Sequence, residues 1–271
     1  MRLRDLTGTV PVVELRDRHA VVTGAASGIG AALARAFAAE GARVVVADLD
    51  GDGAEAVARE IGGLAVRTDV SREEEIARLV SQAEQHGGPI DVYFSNAGVP
   101  GPGGGPLEAT DPAAWQQAWD VNVMAHVWAA RAVLPGMLER GDGYLLNTAS
   151  AAGLLTHVAA LPYTVTKHGA VALAEWLSIN YRDQGVKVSV LCPQAVRTPM
   201  MMATVDDSSG ASVLASGDMI EPEDVADVVV AAIRDERFLI LPHPEVAKYT
   251  AVKATEPERW LAGMRRLLRA T

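Results

Sequence analysis

Short apolar runs recur along the chain, and after most of them comes a longer stretch whose apolar residues return every three or four positions. The runs are His19–Thr23, Arg43–Asp48, Leu64–Thr68, Val92–Ser95, Tyr144–Thr148, Lys187–Cys192 and Phe238–Leu241. Most are continuous rather than alternating, the pattern of strands covered on both faces. Helical period fills Ile29–Glu40, Gly53–Ile61, Arg72–His86, Pro112–Arg140, Tyr163–Gln184 and Pro222–Asp235. This alternation predicts a parallel sheet joined by right-handed crossovers. The expected fold is α/β: a Rossmann-type doubly wound sandwich of about seven strands with helices on both faces.

Local signals mark several helix ends. Ser71 and Glu74 have capping-box spacing. Asp111-Pro112 offers a capping carboxylate and then a proline at the first helical position. Gly41 and Gly185 fall where helices should stop. No repeat or linker divides the 271 residues, so one domain is expected over 1–271. Met1–Arg18 is mixed and charged and reads as an N-terminal surface arm, 1–16 ahead of the first element, not a signal peptide. In the tail (245–271), Trp260, Leu261, Met264, Leu267 and Leu268 have helical spacing, with Arg265, Arg266 and Arg269 as a basic outer face.

Composition narrows the function classes. A formal charge of −10 argues against nucleic acid or an anionic membrane as partner. Apolar runs such as Val225–Ile233 fall short of the roughly 18–20 residues that span a bilayer. The single cysteine, Cys192, excludes an internal disulfide, fits a reducing, cytoplasmic setting, and reads as a packed core residue. The six histidines show no metal-ligand spacing, so no metal is expected; His243, between two prolines, reads as a loop residue.

Two constellations carry chemistry. The first strand runs into Thr23-Gly24-Ala25-Ala26-Ser27-Gly28-Ile29-Gly30, and a helix follows at once. Glycines let the backbone approach a pyrophosphate, and the helix N-terminus favours its charge. Asp48 closes the second strand; a carboxylate there accepts from adenosine ribose hydroxyls and repels a 2′-phosphate, favouring NAD over NADP. In the second constellation, Tyr163 and Lys167 lie four residues apart on one helix face, a spacing at which the cation should lower the phenol's pKa toward working pH. Ser150 stands just past a strand end, where open α/β sheets bind ligands.

Together these motifs resemble the compact short-chain dehydrogenase/reductase family, over roughly Asp17 to Leu241: Thr23–Gly30 as TGxxxGIG, Asn96-Ala97-Gly98 as NAG, and Tyr163–Lys167 as YxxxK. The resemblance implies an NAD-dependent oxidoreductase acting on a secondary alcohol or ketone, with Asn122, Ser150, Tyr163 and Lys167 as the catalytic set. Tyr163 would move the proton, Lys167 tune it and hold the nicotinamide ribose, Ser150 bind the substrate oxygen, and Asn122 hold a water in a relay. Gly24, Ser27, Gly28, Ile29 and Gly30 would hold the diphosphate, with Asp48, Leu49, Asp69 and Val70 at the adenosine end. Asn96, Ala97 and Gly98 would line the cofactor cleft, and Pro193, Val196 and Thr198 the nicotinamide end. Pro193-Gln194 departs from the family's Pro-Gly, which bears on the substrate mouth.

Expected substrate contacts are Ser150, His157, Gln194, Met200 and Met201, with 199–220 as a lid; adjacent methionines there suggest an apolar substrate. The glycine- and proline-rich Pro100–Pro106 reads as a loop able to border the site. A homotetramer or homodimer is implied, paired through the two long helices. Two alternatives stand beside this reading: an NAD-occupied regulatory or scaffold protein, against which the intact Asn-Ser-Tyr-Lys set argues, and a nucleotide-sugar epimerase or dehydratase, against which the short C-terminal region and the glycine spacing argue.

Overall fold

The computed structural model describes residues 13–101, 107, 110–206, 208–214 and 217–270. Every expected apolar run forms a strand: β1 (His19–Thr23), β2 (Arg43–Asp48), β3 (Leu64–Arg67), β4 (Val92–Ser95), β5 (Gly143–Thr148), β6 (Val186–Leu191) and β7 (Leu239–Ile240). All pair in parallel, in the order β3-β2-β1-β4-β5-β6-β7. The order reverses between β1 and β4, and connections leaving in opposite directions there open a crevice at the carboxyl ends of the strands.

Because side chains alternate along a strand, each strand supplies two cores. Ala20, Val22, Val44, Val46 and Phe94 pack with α1 (Gly28–Ala39) and α9 (Pro222–Arg234). Val21, Val45 and Tyr93 pack on the opposite face with α3 (Glu73–Gly87), α5 (Ala125–Arg140) and α6 (Leu161–Tyr181). Both faces are buried, which is why the strand sequences run apolar without alternation.

Helix ends follow local chemistry, with corrections. The Asp111 side chain accepts from the Ala113 N–H at the start of α4 (Pro112–Trp119), as expected. Gly41 and Gly185 have positive φ directly after helical segments. The Ser71/Glu74 capping box does not form: Ser71 Oγ donates to Asp69 Oδ1 at 2.7 Å and Glu74 accepts from Arg72, so α3 starts after Arg72 without a side-chain cap. A reciprocal capping box instead joins Glu221 and Asp224 at α9. Between β2 and β3 lies α2 (Gly51–Ile61), capped by Asp50.

The single helix expected over Pro112–Arg140 is two helices joined by a π-helical turn, Asp120–Met124. Such wide turns often mark functional sites. This one carries Asn122, whose amide bonds both the N–H and the carbonyl of Val99. The surface-arm reading also needs correction at its inner end. Val13 and Leu15 are buried in the first core, and the Val13 N–H reaches the Arg234 carbonyl; residues 1–12 lie outside the described residues. Past β6, the segment expected to be a lid forms α7 (Pro199–Met202) and α8 (Ser208–Leu214). The tail forms two helices, α10 (Glu245–Thr255) and α11 (Pro257–Ala270). Among the described residues no helix is long and apolar enough to cross a membrane.

His126, on α5, is fully buried, and neither ring nitrogen has a partner among the described residues. Burial, reinforced by the Lys167 charge, pulls its pKa down to about 3 from an ordinary 6.5. The unfolded chain therefore binds one more proton through this window, and folding weakens as pH falls from about 6.5 toward 3, by about 1.4 kcal/mol per pH unit at most. Replacing the ring with an apolar side chain, His126→Leu, is expected to flatten that part of the stability–pH curve. Denaturant titrations at pH 4 and 7 measure it; an unchanged slope would refute the assignment.

Candidate functional site

A cleft of about 850 Å³ lies over the carboxyl ends of the strands. One end begins with the first turn. Gly24 and Gly28 have φ of 63° and 53°, in the left-handed region that glycine tolerates. A Cβ at Gly30 would lie 2.1 Å from the Gly24 carbonyl oxygen, and one at Gly28 would lie 3.0 Å from Thr198 Cγ2. The turn is thus closed to side chains on these sides. Ser27 precedes α1 without capping it, so the first-turn N–H groups remain available to an anion. Asp48 bridges this turn to the end of β2: Oδ2 accepts from the Ala26 N–H at 2.9 Å and Oδ1 from the Asp50 N–H at 3.0 Å. Leu49, Asp69 and Val70 line the same end. Asp69 Oδ1 is engaged by the backbone and hydroxyl of Ser71.

The floor is a hydrogen-bonded web. Thr23 Oγ1, at the end of β1, accepts from the N–H groups of Asn96 and Ala97. The Asn96 amide donates to the carbonyls of Thr23 and Gly24, and its oxygen accepts from Thr148 Oγ1 at 3.1 Å. Asn96 therefore ties the ends of β1, β4 and β5 together while lining the cleft. Gly98 is close behind: a Cβ there would lie 3.2 Å from Asn122 Oδ1 and 3.3 Å from Lys167 Nζ.

At the centre, Ser150, Tyr163 and Lys167 line one cleft, as their spacing predicts. Lys167 is buried and its Nζ donates to the Thr148 carbonyl at 3.0 Å. It lies 5.6 Å from the centre of the Tyr163 ring. Asn122 donates to Thr166 Oγ1 at 3.2 Å, which ties the π-helical turn to α6 beside Lys167. The Ser150 hydroxyl accepts from the Ala152 N–H at 3.1 Å. Here one expectation is overturned. The Tyr163 phenol is not lowered toward neutrality; burial raises it, and the hydrogen bond from Ser150 offsets only part of that. The cation suffers as well, since burial pulls Lys167 down to about 8. Desolvation of both groups outweighs their spacing on the helix. Cys192 follows the core reading: it is buried, and burial pushes its thiol up to about 12.

The other end is more apolar. Val196 and Thr198 line it; Thr198 Oγ1 accepts from the Met201 N–H and so caps α7. Met200 and Met201 line the cleft; Met202 does not. The His157 ring stands edge-on to Tyr163 at 6.4 Å, and its Nδ1 accepts from the Ala159 N–H. Pro193 and Gln194 line the cleft too, and the Gln194 N–H donates to His243 Nδ1. That bond puts the ring proton on Nε2, which faces the Ala195 carbonyl at 3.1 Å. His243 is therefore a buried brace of the loop after β6 and not a plain loop side chain. Pro100 borders the cleft, while 102–106 lie outside the described residues.

The chain pattern did not reveal what covers this end. Tyr249 and Val252 of α10, with Trp260, Met264 and Leu267 of α11, line it. Leu261 and Leu268, expected on the same apolar face, are about half exposed. Lys253 secures α10 by donating to the carbonyls of Leu154 and Leu155, close behind Ser150. The i, i+4, i+7 spacing of Trp260, Met264 and Leu267 was visible, but not the surface it packs upon.

The fold and cleft define a doubly wound α/β protein with a ligand crevice at its topological switch point. Residues 18–209 match the family model for short chain dehydrogenases. The chain is 42% identical over 235 residues to 1-deoxy-11-beta-hydroxypentalenate dehydrogenase of Streptomyces exfoliatus, covering 84% of each chain. It is 33% identical to cis-4-hydroxycyclohexanecarboxylate dehydrogenase of Sinomonas cyclohexanicum, covering 83% of this chain and 92% of that one. A crystal structure of a short chain dehydrogenase/reductase from Burkholderia phymatum in complex with NAD superposes with a TM-score of 0.83 at 31% identity, covering 91% of this chain and 96% of that one. The chain belongs to the short-chain dehydrogenase/reductase family and is an oxidoreductase.

Asn96→Ala should leave the carbonyls of Thr23 and Gly24 without their partly buried donor. A loss of about 2–3 kcal/mol is expected, seen as a fall in Tm of roughly 5–10 °C. Differential scanning calorimetry measures it, and a Tm within 1–2 °C (roughly the effect of a surface change) would contradict the bracing role.

Proposed function

We propose that this enzyme oxidises a secondary alcohol on an apolar, alicyclic skeleton to the ketone, using NAD. The observation that carries the reading is a single cleft with the glycine turn and Asp48 at one end, the Ser150–Tyr163–Lys167 cluster at its centre and an apolar roof at the other end. The cofactor site fits a dinucleotide: the glycines form a cradle that a Cβ would fill, and the start of α1 is uncapped. Gly24, Ser27, Gly28 and Ile29 would hold the diphosphate, with Asp48 on the adenosine ribose. Arg and Lys are absent among the described residues lining that end, so nothing there offsets the repulsion of Asp48 for a 2′-phosphate. The names of the relatives, which act on hydroxylated ring compounds, support the substrate class.

A bound nicotinamide dinucleotide, held by the glycine turn and Asp48, would supply the hydride acceptor for the carbinol carbon. The chain's own groups handle the proton. Tyr163, as phenolate, takes the proton from the alcohol oxygen, and Ser150 donates a hydrogen bond to that oxygen as its charge changes. Lys167, fixed by the Thr148 carbonyl, places its positive charge beside Tyr163 and favours the phenolate. Asn122, on its π-helical turn and tied to Val99 and Thr166, would hold a water in the relay by which the proton leaves behind Lys167. The Leu155, Met200 and Met201 side chains exclude water from the far end. The active assembly is proposed to be a dimer or tetramer paired through α4–α5 and α6; Trp176 and Ile179 on α6 are exposed in the single chain and would be covered by such pairing.

Because burial holds Tyr163 above its ordinary range, the base form grows with pH. The rate constant kcat/KM for alcohol oxidation should therefore rise about tenfold per unit across roughly pH 6 to 8. Tyr163→Phe should abolish NADH formation while NAD still binds, by absorbance and calorimetry respectively. Full turnover by this variant would reject the reading. Asp48→Asn keeps the shape and removes the charge. The preference for NAD over NADP should fall by about tenfold or more, as kcat/KM ratios; an unchanged preference would remove Asp48 from that role.

A further inference from the structure

The charges that line the cleft are sorted by end. Its carboxylates among the described residues are Asp48 and Asp69, both at the adenosine end. Its cations are Lys167 at the centre and two arginines on α11, Arg259 and Arg266. In a chain with a net charge of −10, no carboxylate among the described residues lines the substrate end, while two arginines do.

The two arginines differ. Arg259 is neutralised by Glu256, with its Nη1 within 3.0 Å of both carboxylate oxygens. Arg266 makes no ion pair or hydrogen bond among the described residues. Its guanidinium turns back along the helix, with Nη2 3.8 Å from the place a Cβ of Gly263 would occupy. Arg259, Gly263 and Arg266 recur at i, i+4, i+7 beside the stripe of Trp260, Met264 and Leu267, and all line the cleft. Arg266 is exposed, as the outer-face reading expects, but it also borders the cleft, whereas Arg265 and Arg269 do not line it. Basic residues near a helix C-terminus gain from its dipole alone, which accounts for Arg265 and Arg269. It does not account for Arg266, which is solvent-exposed yet stands at the rim of the apolar end of the cleft.

We propose that Arg266 is a specificity-determining residue that binds an anionic group, a carboxylate in chemical class, carried by the alicyclic alcohol at a distance from its hydroxyl. The proposal rests on the alcohol-dehydrogenase reading above. The guanidinium presents a planar pair of donors that suits a carboxylate, and the apolar walls between it and Tyr163 take the ring skeleton. Because α11 is anchored to the rest of the cleft through α10 and Lys253, the anion also helps to seat the roof.

The test uses the intact enzyme with NAD and matched probes: 4-hydroxycyclohexanecarboxylate and a fused-ring hydroxy acid, each beside its methyl ester. The wild type should oxidise each acid with kcat/KM about tenfold or more above its ester. Arg266→Gln should bring that ratio close to one, through KM for the acid and with KM for NAD unchanged. Arg265→Gln, on the outer face, should keep the wild-type ratio. Esters oxidised as well as acids by the wild type, or a ratio that survives Arg266→Gln, would overturn the role of Arg266 and leave the dehydrogenase reading standing. A rise in KM for NAD in Arg266→Gln would move the residue to the cofactor and also overturn it. If acids and esters alike give no NADH, the alicyclic-alcohol reading fails and this inference fails with it.

Discussion

The structure of this site depends on how three strand ends are held together where the sheet changes direction. Parallel strands that end at a switch point leave carbonyls and N–H groups that no further ladder can satisfy. Asn96 and Thr23 satisfy them, with Thr148 completing the web. The consequence reaches further than stability. Thr148 is also the residue whose carbonyl accepts from Lys167, so the web that closes β1, β4 and β5 also sets the position of the buried ammonium. Gly98, next along the same loop, leaves room for that ammonium and for the Asn122 amide at once. A single set of hydrogen bonds thereby couples the floor of the cofactor cleft to the proposed proton-handling groups.

A second constraint pulls against the first. Catalysis of the proposed kind wants a phenolate and an ammonium side by side, yet burial opposes both charges. The protein on its own leaves Tyr163 raised and Lys167 lowered. Neither shift alone suits base catalysis, but each charge would favour the other in a shared, water-poor site. The bond to the Thr148 carbonyl favours the charged lysine, and the Ser150 hydroxyl favours the phenolate. The energetic logic is of two mutually dependent charges held close by backbone geometry. That is why the π-helical turn matters: it lets Asn122 bond Val99 and Thr166 together, packing the loop after β4 against α6.

How much of this was legible in the chain depends on the range of the interaction. Strands covered on both faces declare themselves as unbroken apolar runs, and all seven were placed within a few residues of their observed ends. The glycine turn and the Tyr163/Lys167 pair are local in sequence, so their grouping could be read directly. Three features could not. The π-helical turn leaves the apolar pattern of Pro112–Arg140 unbroken, because it adds one residue to a turn without a breaker. The burial of Val13 and Leu15 depends on a neighbour, Arg234, more than two hundred residues away. The sign of the tyrosine shift depends on desolvation, which no spacing reports.

The C-terminal helices pose the same problem and carry more consequence. Their apolar stripe was visible, but a stripe says only that something covers it, and a partner subunit would have satisfied the pattern equally well. In the folded chain the stripe covers its own cleft. That placement changes the meaning of the charges beside it: an arginine on a solvated face near a helix end contributes little beyond the dipole term, whereas the same arginine lining a cavity bears on what the cavity accepts. Asp48 acts in the opposite sense at the other end of the cleft. A carboxylate where the proposed dinucleotide must present hydroxyls and a guanidinium where the substrate must present its distal group give the cleft an electrostatic polarity. In the proposed ternary complex that polarity favours one orientation of the two ligands before any contact at the reacting carbon is made.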